Sequence, residues 1–136
     1  MNLFLDDSKL PKDVLNNMLL RIGNDANIYC NLEWEIVKDF REFVKFVENN
    51  GIPKVVSFAH DLVDEHYEIM CACGSSEDFP DTFNEKTGLD CAKWLVGHHI
   101  LKGGAFPKIL VHSMNPYGSE RIKNYISKYT KQFVNL

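Results

Sequence analysis

Hydrophobic and polar positions along this chain fall into short, solidly apolar runs and longer stretches with apolar residues at helical spacing. Residues 1–5 form the first run. It stops abruptly at Asp6-Asp7 and predicts a strand buried on both faces. Pro11 suits the first turn of a helix, and Val14, Leu15, Met18, Leu19 and Ile22 then recur at helical spacing up to Gly23. Residues 27–32 read as a second, weaker strand with Ile28, Cys30 and Leu32 on one side. Trp34, Val37, Phe40, Phe43, Val44 and Val47 make one apolar stripe with Lys38, Glu42, Lys45 and Glu48 off it, predicting a helix that Gly51 ends. Residues 54–58 are a third strand, flowing into Ala59-His60-Asp61.

The stretch from about 63 to 86 is polar, holds Gly74 and Pro80, and predicts a long insert loop acting as a lid or a partner surface. Thr87-x-x-Asp90 has capping-box spacing, with Asp in place of Glu, and opens a helix through Leu101 that Gly103-Gly104 stops. Residues 109–111 form a fourth strand ending in His112-Ser113. After Asn115-Pro116 a last helix turns Ile122, Tyr125, Ile126 and Tyr129 inward. Strands alternating with helices, without an internal repeat or linker, predict one α/β domain over residues 1–136: a small doubly wound parallel sheet of about four strands.

Ligands of such sheets bind outside the carboxyl ends of the strands. Asp6 and Asp7, His60 and Asp61, and His112 and Ser113 stand at three of those predicted ends. Composition narrows the partners. Apolar residues at 45% and charged residues at 25% are ordinary for a globular chain, and 136 residues can bury a core without staples. A net charge of −4 speaks against extended DNA binding, which needs clustered cations, while leaving room for a local phosphate pocket. Cys30, Cys71, Cys73 and Cys91 form no C-x-x-C pair, the start lacks a signal pattern, and no apolar run approaches a membrane span. A cytoplasmic protein with reduced thiols and no membrane partner is expected; its oligomeric state is left open.

Adjacent carboxylates raise each other's pKa unless a cation or donor intervenes. Asp6 and Asp7, completed by Asp61, are therefore a candidate set for Mg²⁺ or another divalent ion, the alternative being a loop start that caps the first helix. His60 and His112 are candidate acid and base for a phosphodiester, the alternative being structural imidazoles. Ser113 and Asn115 can donate to phosphate oxygens, although Asn115-Pro116 equally reads as a plain N-cap. Zinc at His66, Cys71 and Cys73 is not expected, because C-x-C with one histidine lacks a usual spacing. His98-His99, late in a helix, reads as a surface pair. No phosphate-loop or dinucleotide fingerprint occurs.

Several short motifs in order carry a resemblance: Leu3-Phe4-Leu5-Asp6-Asp7 with Lys9 and Pro11; Ser57-Phe58-Ala59-His60-Asp61-Leu62; Thr87-Gly88-x-Asp90-x-Ala92-x-Trp94-Leu95; and His112-Ser113-Met114-Asn115-Pro116-x-Gly118. Together, from Leu3 to Tyr129, they resemble the cyclic-phosphate processing receiver-like domains. The resemblance implies a trimmed response-regulator receiver fold with its acidic pocket retained. It also implies a role on RNA 2′,3′-cyclic phosphate ends or related cyclic nucleotides in bacteria and phages, with Lys9 and Ser57 beside Ser113 and Asn115 on the substrate. Two departures stand out. The family pattern has an acid where this chain has Ala59, and usually Gly where Val63 stands, with a shorter loop after it.

Three functions compete at this level. The first is a phosphodiesterase-type hydrolase of cyclic phosphates, working through a Mg²⁺-bound water or through His60 and His112, and inactivated here if Ala59 marks the site of a lost catalytic acid. The second is a phosphoryl-accepting switch, against which Ala59 speaks because a receiver carries its acceptor aspartate there. The third is a degenerate binding module that sequesters a nucleotide or contacts a protein.

Overall fold

A computed structural model describes residues 1–80 and 83–131. Its centre is a sheet of four parallel strands in the order β2-β1-β3-β4: β1 (Asn2–Leu5), β2 (Glu35–Val37), β3 (Val55–Phe58) and β4 (Lys108–Val111). Leu3 stands opposite Glu35 on one side and Val56 on the other, and Val56 opposite Ile109. The strand order reverses around β1 and β3. This is the doubly wound α/β arrangement, with its switch point between those two strands.

Helices cover both faces, because strand side chains alternate between them. Phe4 turns to the layer of α1 (Pro11–Ile22) and α2 (Ile28–Asn31), where it packs with Val14, Met18, Ala26 and Tyr29. Leu3, Leu5, Val56, Phe58 and Val111 turn to the opposite layer, formed by α3 (Phe40–Asn50), α5 (Gly88–Lys102) and α6 (Pro116–Tyr129). The sequence-level stops hold. Gly23, Gly51 and Gly103 end their helices at positive φ, which costs glycine little. The capping box at the start of α5 forms as its spacing predicts: Thr87 N donates to Asp90 Oδ2 over 2.8 Å, and Asp90 N donates to Thr87 Oγ1 over 3.4 Å.

Three expectations change. The strand expected at 27–32 is a 3₁₀ turn, Gly23–Asn27, running into the short α2, which buries Tyr29 instead of Ile28, Cys30 and Leu32. The second strand lies at Glu35–Val37, inside the stripe read as one helix from Trp34; Asp39 caps α3 by accepting from Glu42 N over 2.8 Å. Val37 and Phe43 reach the same core from different elements, so one apolar stripe covered a strand and a helix. Finally, the stretch expected to be a loop begins as a helix, α4 (Asp64–Ala72). Among the described residues, no helix is long and apolar enough to cross a membrane.

Candidate functional site

The carboxyl ends of the strands carry two imidazole–carboxylate pairs in different surroundings. On the α1–α2 side, His112 follows Leu110 in the alternation of β4 and lies flat on the Phe4 ring, centroids 4.2 Å apart. Its Nε2 donates to Asp6 Oδ2 over 2.9 Å, and its Nδ1 faces Ser57 Oγ at 2.7 Å, which in turn meets the Tyr29 hydroxyl at 2.7 Å. Asp6 Oδ1 accepts from the backbone N–H of Ser8 and of Lys9, at 3.0 and 2.9 Å. Burial pushes the Asp6 carboxyl up, but the bonds from His112, Lys9 and Ser8 outweigh it and hold the pKa below its ordinary value. Burial also lowers the His112 pKa, and the pull of Asp6 the other way does not restore it. The pair at neutral pH is a carboxylate and a neutral ring.

On the α6 side, His60 Nδ1 hydrogen-bonds Asp61 Oδ1 at 2.8 Å, and the same oxygen accepts from Asn115 Nδ2 at 2.9 Å. Asn115 Oδ1 caps α6 by accepting from the N–H of Tyr117 and Gly118. One side chain thus ties the end of β3 to the start of α6. Gly118 is required there, because a Cβ would stand 2.2 Å from His60 Cγ. Gly88 plays the same part under the strand end, where a Cβ would meet the Ala59 carbonyl oxygen at 1.7 Å. Phe79 and Phe83, from the segment after α4, pack against the His60 ring with centroids 5.3 and 5.6 Å away.

The structure therefore brings the expected residues to one edge but divides them. His60 and His112 are each 1% exposed, and each is held by its own carboxylate. They do not flank a common open point as a two-histidine acid–base pair would. Ser57 and Asn115, expected on the substrate, are fully enclosed and spend their hydrogen bonds inside the protein. Ser113 Oγ accepts from Asn115 N, and its carbonyl takes a bond from Arg21. Lys9 is half-buried and close enough to His112 to depress its basicity. Ala59 sits buried in the core cluster with its N–H on Leu5 O.

Three further groups belong to this edge. Burial raises the Tyr67 phenol, and the charges of Asp61, Asp6 and Asp7 raise it further, so all three carboxylates act on one side chain that is 38% exposed. Its weak signal in sequence was its place in a stretch read as loop. Asp7 is pushed up by burial and by Asp6, and its Oδ1 is the one buried side-chain oxygen without a partner among the described residues. Asp7 also borders a groove of about 410 Å³ lined by Lys38, Arg41 and Lys86, together with Asp39, Phe40 and Glu85. Tyr29 was missed because its segment was read as strand.

As a metal centre the expected set fits poorly. Asp6 has both oxygens engaged by protein donors, and no three His, Cys, Asp or Glu side chains among the described residues converge on one ion. His66, weighed above with Cys71 and Cys73, is enclosed: its Nδ1 accepts from Leu62 N and its Nε2 donates to Glu85 O. His99, read as a surface group, joins Tyr129 Oη at 2.6 Å and Gly104 O at 2.9 Å, fastening the end of α5 to α6.

Comparison with known proteins matches the chain, over residues 1–128, to the family described as "Cyclic-phosphate processing Receiver domain". No curated protein and no solved structure matches the chain.

Proposed function

Because the chain belongs to the cyclic-phosphate processing receiver domain family, we propose that it takes up a cyclic phosphate ester at the carboxyl edge of its sheet, in a phosphodiesterase-type site that has lost its central acid. The reading rests above all on the groove beside Asp7. It lies at the switch-point edge, has the volume of a small-ligand site, and offers Lys38, Arg41 and Lys86 to a phosphate. Tyr67 adds a phenol held in its protonated, donating form next to the three acids.

Cleavage would add water to phosphorus, break one P–O ester bond and hand a proton to the leaving alkoxide. That step needs an accessible base and acid. Neither imidazole reaches solvent, and the methyl group of Ala59 can neither accept nor donate a proton. Capture without turnover is the behaviour this arrangement favours, a nucleotide-binding relative of a hydrolase. No step is assigned to a metal ion, since the three carboxylates do not form a ligand set.

Calorimetric titration with 2′,3′-cyclic AMP and 3′,5′-cyclic AMP, with and without Mg²⁺, tests the uptake. Binding of at least one, weakened about tenfold by Arg41→Glu through charge reversal at the groove, is the expected result. Absence of binding for both would overturn the proposal. Ala59→Asp, assayed for release of the phosphomonoester, tests the lost acid: product from the Asp form alone supports it, and equal inertness of both forms removes the hydrolase part.

A further inference from the structure

The hydrogen bonds around His112 have a single consistent direction. Asp6 is ionised and can only accept, so the proton of the neutral ring sits on Nε2. Nδ1 then carries a lone pair, and Ser57 must donate its hydroxyl proton to it. That leaves the Ser57 oxygen as acceptor for Tyr29, whose phenol is pushed up to about 12 by burial and stays protonated. Protons point one way from Tyr29 through Ser57 and His112 to Asp6, over links of 2.7, 2.7 and 2.9 Å. Tyr29, Ser57 and His112 are each no more than 2% exposed, and the ring is further fixed by Phe4 on its face and Tyr29 at its edge. The charged groups facing it are Asp6, Lys9 and Arg21.

Ser57, His112 and Asp6 have the composition of a nucleophilic triad, but the arrangement is closed to substrate: Ser57 is wholly buried and its oxygen is taken by Tyr29. What the chain of bonds controls lies at its far end. The carboxylate that receives His112 on Oδ2 holds the Ser8 and Lys9 amides on Oδ1, and so shapes the loop that presents Asp7 and Lys9.

We propose that Tyr29 and Ser57 are positioning residues of the cyclic-phosphate site: through His112 they fix the orientation of Asp6, and through Asp6 the Asp7–Lys9 loop. This rests on the site reading given above. It places a control point in α2, on the opposite face of the sheet from α3 and α5, and makes loop geometry depend on two hydroxyl groups that never touch ligand.

The test uses the full chain with Tyr29→Phe, Ser57→Ala and Ser57→Thr. Long-range ¹H–¹⁵N spectra report the His112 tautomer, hydrogen exchange reports the Ser8 and Lys9 amides, and titration with 2′,3′-cyclic AMP reports the site. In Ser57→Ala the Nδ1 resonance should move toward that of an unbonded ring nitrogen, Ser8 and Lys9 should exchange faster while Leu95 in α5 does not, and affinity should fall about tenfold. Ser57→Thr should restore all three, and Tyr29→Phe should shift them in the same direction by about threefold in affinity. Unchanged Ser8 and Lys9 exchange alongside a shifted Nδ1 would overturn the positioning role. So would acceleration of every amide together, the mark of general destabilisation. Failure of the wild-type chain to bind would instead strike the ligand reading, leaving the exchange measurement to decide whether the relay sets the loop.

Discussion

The two imidazoles at the sheet edge make an instructive pair. His112 is held by atoms that leave it one state: a carboxylate on one nitrogen, a hydroxyl on the other, a phenyl ring against its face. His60 is held by one carboxylate and then by shape, with Gly118 beneath it and the rings of Phe79 and Phe83 against it. The first is fixed by directional bonds, from Ser57 in β3 and from Asp6 just past β1. The second is fixed by packing, part of it supplied by the segment following α4. Identical side chains at equivalent strand ends thus differ in what could move them: a hydroxyl deletion for His112, a change of volume for His60.

The largest expected effect sharpens the packing half. Gly88→Ala drives a Cβ into the Ala59 carbonyl, which is backbone and cannot swing away, so a loss of about 3 kcal/mol or more is expected in chemical denaturation. A loss under about 1 kcal/mol would mean that α5 does not press on the strand end. Asn115→Ala comes next. It removes the cap of α6 and the tether to Asp61 together and should cost about 2 kcal/mol, lowering the denaturation midpoint while leaving the His112 Nδ1 signal in place. A shift of that signal as large as in Ser57→Ala would show that the two pairs are one unit.

The smallest effect is a slope. Burial sets the pKa values of His112 and His66 below 6.5 in the folded chain, so as pH falls through 6.5 the unfolded chain takes up protons that the folded chain refuses. Stability is therefore full above 6.5 and declines below it, by up to about 1.4 kcal/mol per pH unit for each ring. Asp6, whose pKa is lowered from 3.8, adds a further loss only as pH drops through that lower range. His112→Gln keeps a donor for Asp6 without a titrating ring and should reduce the slope between pH 5 and 6.5, read from denaturation midpoints; an unaltered slope would assign the effect to His66 and other groups.

Much of this architecture was legible in one sequence. The runs that became β1, β3 and β4, and the helices stopped by Gly23, Gly51 and Gly103, follow from local chemistry that no tertiary contact overrode. The second strand was hidden because Trp34, Val37 and Phe40 satisfy a helical period while two different elements supply the contacts. Tyr29 was hidden for a related reason: a four-residue helix has too few turns to show a period, so Ile28, Cys30 and Leu32 passed for one face of a strand.

The sequence by itself determined which chemical groups reach the carboxyl ends of β1, β3 and β4, since there the end of the apolar run and the residue that follows it are local facts. Tertiary structure alone decided which groups pair there. Side-chain alternation sends Phe4, Asp6, Ser57 and His112 into the layer of α1 and α2, while the starts of α5 and α6 press upon Ala59, His60 and Asp61. Hydrogen bonds and burial act across distances in space that carry no trace in residue spacing, so one predicted cluster folded into two.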